Sequence, residues 1–256
     1  MSAARVGDEG RAEATRGADG RSREVTRVVH TGDALAWLAA QTVLEGASVV
    51  TSLPDASELP SLPHAEWEAW FVDAAALVLS RVPPTGLAIF YQTDVKAQGR
   101  WIDKAQLVAR AAERAGAALV FHKIVLRAEA GAVTRGLPAY SHLVAWSPTR
   151  EAGGARLALG DATADVLPSA GATTWTRGMG VEACRAACEA VLRYTPTRTV
   201  VDPFCGHGTV LAVANALGLD AVGVELGARR ARRARTLQLS ELEGPERDDH
   251  GALTKA

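Results

Sequence analysis

The stretch TVVDPFCGHGTVLAVANALGLDAVGVEL, residues 199–226, decides the fold. An apolar strand leads into Asp202, a loop with Gly206 and Gly208 follows, and then come a helix and a second strand that ends in Glu225. Glycines let a backbone approach a ligand closely, and an acid at the end of the second strand can accept hydrogen bonds from ribose hydroxyls. The spacing is not GxGxxG and no lysine follows the glycines, which disfavours dinucleotide and triphosphate sites. The stretch therefore predicts a nucleotide-type ligand on a βα turn.

Strand and helix signals alternate through the rest of the chain. Strand signals lie at 28–30, 47–51, 86–91, 117–127, 139–146, 199–201 and 221–224. Helix signals lie at 33–44, 64–82, 103–116, 181–194, 210–217 and 228–239. Strands separated by helices predict an α/β fold, with a mainly parallel sheet covered on both faces. A glycine-containing loop between the fourth and fifth strands predicts a hairpin there.

Both ends of the chain are predicted to be tails. Residues 1–25 and 240–256 are polar, with almost no large apolar side chain, which predicts a disordered start and a flexible end. The body between them, residues 26–239, has the length of a single domain.

Composition excludes several classes of protein. The chain has 256 residues, 28 basic and 29 acidic side chains and a net charge of −1. No apolar run is long enough to span a membrane and the start lacks the apolar core of a secretory signal, so we expect no membrane partner. Three cysteines in this length indicate reduced thiols of a cytoplasmic protein rather than a disulfide scaffold. The near-zero net charge disfavours a globally basic nucleic-acid binder, although a local basic face remains open.

The loop DPFCGHGT resembles the S-adenosylmethionine (SAM) motif of the SAM-dependent methyltransferases. More narrowly, it is similar to the permuted, beta-class methyltransferases of DNA and RNA amino groups, in which the SAM motif follows the catalytic motif. The resemblance implies a Rossmann-like class I fold with a mainly parallel seven-stranded sheet, a C-terminal antiparallel hairpin strand and a circularly permuted motif order. It also implies an acceptor half at 26–147 and a SAM-binding half at 175–239.

The resemblance implies a set of SAM-binding residues. These are Asp33, Asp202, Phe204, Gly206, Gly208, Thr209 and Glu225. The loop residues would surround the methionine part of SAM, Glu225 its ribose and Asp33 its adenine. An ordinary helix N-cap is an equally good interpretation of Asp33, and the two roles are compatible.

The catalytic motif of that family corresponds to VVTSLPD, residues 49–55. The family pattern is Asp, Asn or Ser, then two prolines, then an aromatic residue. Ser52 and Pro54 fit it, whereas Leu53 and Asp55 replace a proline and the aromatic ring. The Ser52 hydroxyl and the carbonyl of residue 53 could orient an amino group for in-line attack. Asp55 has three open interpretations: a general base, a contact to a cationic or hydroxyl-bearing acceptor, or a cap of the next turn.

Acceptor contacts are predicted after the next strand, since open α/β sheets place ligands at the carboxyl ends of strands. The candidates are Tyr91, Gln92, Asp94, Lys96 and Lys104. The last two belong to a segment, 96–135, with eight bases against three acids, which is either a phosphate-binding face or a solvated helix face. Tyr91 could supply the ring that position 55 lacks, as could Trp67 or Trp70, for which core packing is the favoured interpretation.

The remaining chemistry-bearing residues favour structural roles. We expect Cys184, Cys188 and Cys205 to be core thiols, with no metal, and His122 and His142 to be packed and satisfied. The run ARRARRAR, residues 228–235, spreads five arginines around a helix and favours solvation over binding.

These observations lead to a SAM-dependent methyltransferase acting on a nucleic acid. RNA, with transfer RNA as one candidate, is preferred over DNA because the interval of about 30 residues at 148–180 is too short for a separate recognition domain. Two alternatives stay open: a small-molecule methyltransferase, and an inactive SAM-binding partner subunit. The oligomeric state is not predicted.

Overall fold

The computed structural model describes residues 11–16, 22–59, 61–97, 99–150 and 163–243. The strands are β1 (Arg11–Arg16), β2 (Ser22–Thr31), β3 (Ala47–Thr51), β4 (Ala88–Gln92), β5 (Val95–Ala97), β6 (Arg100–Ile102), β7 (Ala118–Leu126), β8 (Tyr140–Ser147), β9 (Val166–Leu167), β10 (Thr199–Asp202) and β11 (Asp220–Glu225). The helices are α1 (Ala34–Ala39), α2 (His64–Arg81), α3 (Lys104–Ala115), α4 (Val181–Tyr194), α5 (Thr209–Ala216), α6 (Ala228–Thr236) and α7 (Ser240–Glu243). In these ranges no helix has both the length and the apolar character needed to cross a bilayer.

The main sheet has nine strands in the order β1-β2-β11-β10-β3-β4-β8-β7-β9. Five neighbours, β2, β11, β10, β3 and β4, run parallel, which confirms the expected mainly parallel sheet. The sheet exceeds the seven strands expected because β1 and β9 form in segments that carry no apolar strand signal. The antiparallel pair β7–β8 lies in the middle of the chain rather than at its C-terminal end, and β5–β6 form a separate hairpin.

Alternate side chains of the central strands enter two apolar layers. Val49 and Phe90 pack with α1, α2 and α3 on one face of the sheet. Val50 and Ile89 pack with α4, α5 and α6 on the other face. All five residues of β3 are buried, as expected for a parallel strand covered on both sides.

The N-terminal segment departs from the prediction of a disordered tail. Residues 11–16 pair with β2 from Arg11 opposite Arg27 to Arg16 opposite Ser22, and Val25 is buried. The edge of β2 presents unpaired backbone N–H and C=O groups, and a polar segment satisfies these as well as an apolar one does. Residues 1–10 and 17–21 lie outside the described residues. At the other end, 240–243 form α7 and the rest of the predicted tail lies outside them.

Local signals mark several helix ends correctly. Asp103 caps α3 by accepting the Gln106 N–H at 2.9 Å, and Gly116 ends it with φ +68°, both as predicted. Helix α1, by contrast, ends at Ala39 instead of continuing to residue 44. Arg81 of α2 donates to the Leu38 carbonyl and accepts the Leu44 N–H on its own carbonyl, so a tertiary contact stops the helix.

Candidate active site

The carboxyl ends of the five parallel strands lie along one edge of the sheet. This edge carries Glu225 at the end of β11, Asp202 at the end of β10 and Ser52 directly after β3. From β10 the chain moves to β11, whereas from β3 it moves to β4 in the opposite direction, so a crevice opens between β10 and β3. Open α/β sheets bind ligands at such a switch point. The fold therefore brings the predicted SAM-binding and catalytic segments to the same edge.

Asp202 lies at the centre of this crevice. It is 4% exposed and accepts the Thr51 hydroxyl at 2.7 Å and the Phe204 N–H at 3.1 Å. Burial raises the pKa of Asp202 to about 7, although both hydrogen bonds act to lower it. Sequence reasoning missed Thr51, which has the character of an ordinary β-branched strand residue.

The two motif glycines have different reasons for being glycine. Gly208 has φ +88°, and a Cβ there would lie 2.7 Å from the Cα of Ala234, so the loop packs directly on α6. Gly206 has φ +54°, and a Cβ there would meet no atom within 4 Å. The loop is held by the Cys205 N–H, which donates to the Val224 carbonyl at 3.0 Å. Gly206 thus faces open space where a ligand could approach the backbone.

Glu225 is held in place by its neighbours. It is 7% exposed, and its Oε1 accepts the Gly227 N–H at 2.6 Å and the Arg230 Nε and Nη2 groups at 2.7 and 2.6 Å. Its Oε2 has no hydrogen-bond partner among the described residues. An acid fixed through one oxygen keeps the other as an acceptor for a ligand.

Some arginines of the run on α6 also make contacts within the protein. Besides Arg230, Arg233 pairs with Glu241 at 2.7 Å and Arg235 donates to the Val29 carbonyl at 2.6 Å. These contacts tie α6 to β11, α7 and β2, while four of the five arginines stay exposed, as the favoured interpretation of a solvated helix expects.

The other cofactor candidates lie beside this edge. Asp33 is exposed and accepts the Ala36 N–H at 2.7 Å, so it is the N-cap of α1. The Gly32 N–H donates to the Glu225 carbonyl at 3.0 Å, which places the β2–α1 turn against β11. Phe204 is half-buried and Thr209 is the buried first residue of α5.

A cavity of about 340 Å³ and a larger one of about 660 Å³ lie near the carboxyl ends of β3 and β4. We call the larger one the acceptor cavity, because its wall brings together most of the predicted catalytic and substrate residues. Those residues are Ser52, Asp55, Tyr91, Lys96 and Lys104. The Pro54 carbonyl accepts the Trp67 Nε1–H at 3.3 Å, which fixes the loop that is predicted to be catalytic to the core. Trp67 is fully buried, as its favoured interpretation required.

Asp55 and Lys104 form an ion pair inside the acceptor cavity. The Lys104 side chain is 4% exposed and that of Asp55 is 20% exposed. The carboxylate of Asp55 thus has a cationic partner within the protein, and the Lys104 ammonium already has an acidic one. The prediction of Lys104 as a phosphate contact does not fit this arrangement.

Three cations on the cavity wall have no acidic partner among the described residues: Lys96, Arg127 and Arg177. The Lys96 ammonium lies 4.7 Å from the ring centre of Trp101. Arg177 donates to the Ser57 hydroxyl at 2.6 Å. Positive charge that is not neutralised within the protein favours a polyanionic ligand.

Gln92 and Asp94 are not among the residues that line either cavity. Gln92 is fully buried, and its amide atoms have no partner among the described residues. Asp94 accepts the Lys104 N–H, the Trp101 Nε1–H and a bond from His142. Burial raises the pKa of Asp94, but these bonds outweigh it and the pKa is lowered.

Asp94, just after β4, therefore links β6, α3 and β8 through its hydrogen bonds. His142 also bonds to His122 at 2.9 Å and is buried and satisfied, as expected, whereas His122 is exposed. Asp94, His142 and Asp103 are the one group in the described ranges with the spacing of metal ligands. Asp94 and His142 already bond to each other there.

The basic segment is not one continuous face. Arg114 pairs with Asp73, and the buried Lys123 donates to Thr163 and lies 3.6 Å from Asp165. The three cysteines are buried, and burial raises the pKa of Cys188 to about 12, which fits the prediction of core thiols.

Comparison with known proteins gives a clear result for the fold. No family model and no curated protein matches the sequence. Among solved structures, TTHA0409 of Thermus thermophilus, described as a putative DNA modification methylase, has 21% identity and a TM-score of 0.62, covering 80% of this chain and 91% of that one. The cytosine-N4-specific PvuII DNA methyltransferase has 16% identity and a TM-score of 0.61, covering 83% and 87%.

A third structure, the complex of M1.HpyAVI with SAM, has 13% identity and a TM-score of 0.52, covering 82% of this chain and 97% of that one. TTHA0409 has also been crystallised with SAM, with a TM-score of 0.61. At these identities the likeness establishes the fold: this chain has the α/β fold of those methyltransferases.

Proposed function

We propose that this chain is a SAM-dependent methyltransferase that methylates an amino group in a nucleic acid. The observation that carries the proposal is the acceptor cavity. Its wall combines Ser52, at the end of β3, with three cations that have no acidic partner among the described residues. The cavity lies on the same sheet edge as Asp202 and Glu225, which match the SAM motif.

The residues of this edge fit SAM. Glu225 keeps Oε2 for the ribose hydroxyls, and Gly206 leaves open space where the methionine part would approach the loop. Asp202 offers a buried carboxylate that can face the ammonium of the methionine part. SAM supplies an electrophilic methyl group on a sulfonium. Two of the solved structures with this fold are complexes with SAM.

The acceptor side needs positioning more than proton transfer. The Ser52 hydroxyl and the Leu53 carbonyl accept the two N–H groups of an amino group, which aims the nitrogen lone pair along the line of attack. Holding the reacting atoms in line supplies much of the rate acceleration of such a transfer. Because Lys104 engages the Asp55 carboxylate, we assign this pair the role of shaping the cavity rather than that of a base.

The choice between DNA and RNA is open to direct test. The preference for RNA gains no support from the comparisons, since the similar solved structures are described as DNA methylases. DNA is therefore the first acceptor to test. A small-molecule acceptor is the second candidate, because position 55 carries an ion pair where the family pattern has a ring that stacks on a base.

The test is transfer of a labelled methyl group from SAM to single-stranded DNA, duplex DNA and bulk transfer RNA. Labelled nucleic acid supports the proposal, and Ser52→Ala should reduce kcat at least tenfold, or about 1.4 kcal/mol, with SAM affinity unchanged. Ser61→Ala, at an exposed position outside the cavity, is the matched control. SAM binding without transfer to any nucleic acid would instead favour a small-molecule enzyme or an inactive partner subunit.

A further inference from the structure

The smaller cavity, of about 340 Å³, adjoins the acceptor cavity. We call it the flanking cavity. Two residues, Tyr91 and Arg127, line both cavities, so they form the partition between them. The rest of its wall comes from the end of β7 and from the segment 168–178 that precedes α4. Its position next to the acceptor cavity and its separate wall indicate a second binding compartment for the same ligand.

The Tyr91 hydroxyl has no hydrogen-bond partner among the described residues. The residue is 2% exposed, and its ring lies at the end of β4 between the two compartments. Buried polar groups in folded proteins nearly always have a partner, so an unpaired one beside a cavity points to a ligand or a bound water. The hydroxyl is thus a buried, unpaired donor of a residue that lines both compartments.

Arg127 is weakly held. Its Nη1 and Nη2 groups donate to the Thr93 hydroxyl and the Thr176 carbonyl, both at the long distance of 3.3 Å. It has no acidic partner among the described residues, although Glu129 also lines the flanking cavity. A guanidinium group offers paired donors that match the oxygens of a phosphate.

We propose that the flanking cavity binds the nucleotide next to the one that is methylated, and that Arg127 binds the phosphodiester group between them. The inference rests on the proposed function and deepens it. One phosphodiester joins two consecutive nucleotides, so a cation shared by two adjoining compartments lies where that phosphate must pass. Tyr91 donates its hydroxyl to the phosphate or to the flanking nucleotide, which gives its unpaired group a partner.

The test measures binding of the full-length protein to a short single strand of alternating dA and dC, whose bases both carry an exocyclic amino group. Arg127→Gln should weaken binding about tenfold, as expected for a lost charge-assisted hydrogen bond, and should make the salt dependence less steep by about one phosphate contact. Arg110→Gln, at an exposed position of α3, is the matched control and should bind like the wild type.

A strand with uncharged methylphosphonate linkages isolates the phosphate. The wild type and Arg127→Gln should bind this strand equally, because the proposed contact is absent in both. Tyr91→Phe is a second variant that leaves every charge in place. It should weaken binding of the natural strand without lowering the Tm of the free protein, since the hydroxyl has no partner among the described residues.

Three results would overturn the inference. The first is an equal loss of strand binding in Arg127→Gln and Arg110→Gln, and the second is a loss of binding in Arg127→Gln that persists on the uncharged strand. The third is that Arg127→Gln loses SAM binding instead of strand binding. The proposed function fails separately. If no nucleic acid is methylated but strand binding depends on Arg127, the proposed function is wrong and the binding compartment stands. If methylation proceeds and Arg127→Gln binds the strand as tightly as the wild type does, the inference alone is wrong.

Discussion

The hydroxyl of Thr51 donates a 2.7 Å hydrogen bond to the carboxylate of Asp202. The two residues are 151 positions apart and lie at the ends of β3 and β10, the strands between which the sheet reverses its winding. The bond joins the segment predicted to be catalytic directly to the loop that resembles a SAM motif. Substitution of either Thr51 or Asp202 should therefore alter the structure around both residues.

Protonation of Asp202 should make stability depend on pH. Burial raises the pKa of Asp202 to about 7 in the folded protein, against about 3.9 in the unfolded chain. Between about pH 4 and 7 the folded state holds a proton on Asp202 that the unfolded state has released. The stabilisation that follows from this raised pKa is complete below about pH 4 and is lost as the pH rises through 7. Its loss should lower the free energy of unfolding by about 2 to 4 kcal/mol.

Denaturant titrations from pH 4.5 to 8 measure this effect. Because other groups also titrate there, the informative quantity is the difference between the wild type and Asp202→Asn, whose amide does not ionise. We expect the variant to lack this decline in stability. Parallel pH curves for the two proteins would show that Asp202 ionises normally.

Replacement of the two motif glycines by alanine should affect stability and SAM binding differently. Gly208→Ala forces a Cβ against Ala234 at positive φ and should cost about 2 kcal/mol or more of stability. Gly206→Ala meets no protein atom and should cost about 1 kcal/mol, while weakening SAM binding strongly. Thermal denaturation and SAM titration of both variants check this. Equal SAM affinity in Gly206→Ala and wild type would mean that the ligand does not approach this loop.

Arg230 should act on SAM binding through Glu225. Arg230→Ala removes two donors from Glu225 Oε1 and should raise the KM for SAM about fivefold, the value of one ordinary hydrogen bond, with kcat unchanged. Arg232→Ala, exposed on the same helix, is the control. A fall in kcat with an unchanged KM would contradict a role in orienting the acid.

The ion pair between Asp55 and Lys104 should be structural. Asp55→Asn leaves the buried ammonium of Lys104 without its partner and should lower the free energy of unfolding by about 3 kcal/mol. The double variant Asp55→Asn with Lys104→Met should recover most of this loss of stability. The double variant should keep kcat within about tenfold, whereas loss of a general base costs about 10²- to 10⁴-fold. Steady-state kinetics distinguish these ranges, and a loss in the larger range would restore Asp55 as the base.

Much of the fold follows from local sequence. The βα turn at Asp202, the cap at Asp103 and the left-handed Gly116 are fixed by neighbouring residues, and the sequence predicts them. The strand at 11–16 has no apolar signal because its stability comes from backbone pairing with β2.

The candidate site was predictable only in part. Ser52 and Asp55 stand in a recognisable motif, but the partner of Asp55 lies 49 positions away on α3. Arg127 belongs to the basic segment 96–135 and Arg177 lies just before α4, but only the three-dimensional structure places both on the wall of the acceptor cavity. Gln92 and Asp94 follow the expected strand but do not line either cavity. Gln92 is buried, and Asp94 accepts hydrogen bonds from three other residues of the protein.

The most direct test of the central claim, that SAM binds at the carboxyl edge of β10 and β11, is a calorimetric titration of the protein with SAM. We expect saturable binding of one SAM per chain by the wild type, and loss of that binding in Asp202→Asn while the circular dichroism spectrum stays unchanged. Absence of binding by the wild type, or equal affinity in the folded variant, would contradict the claim.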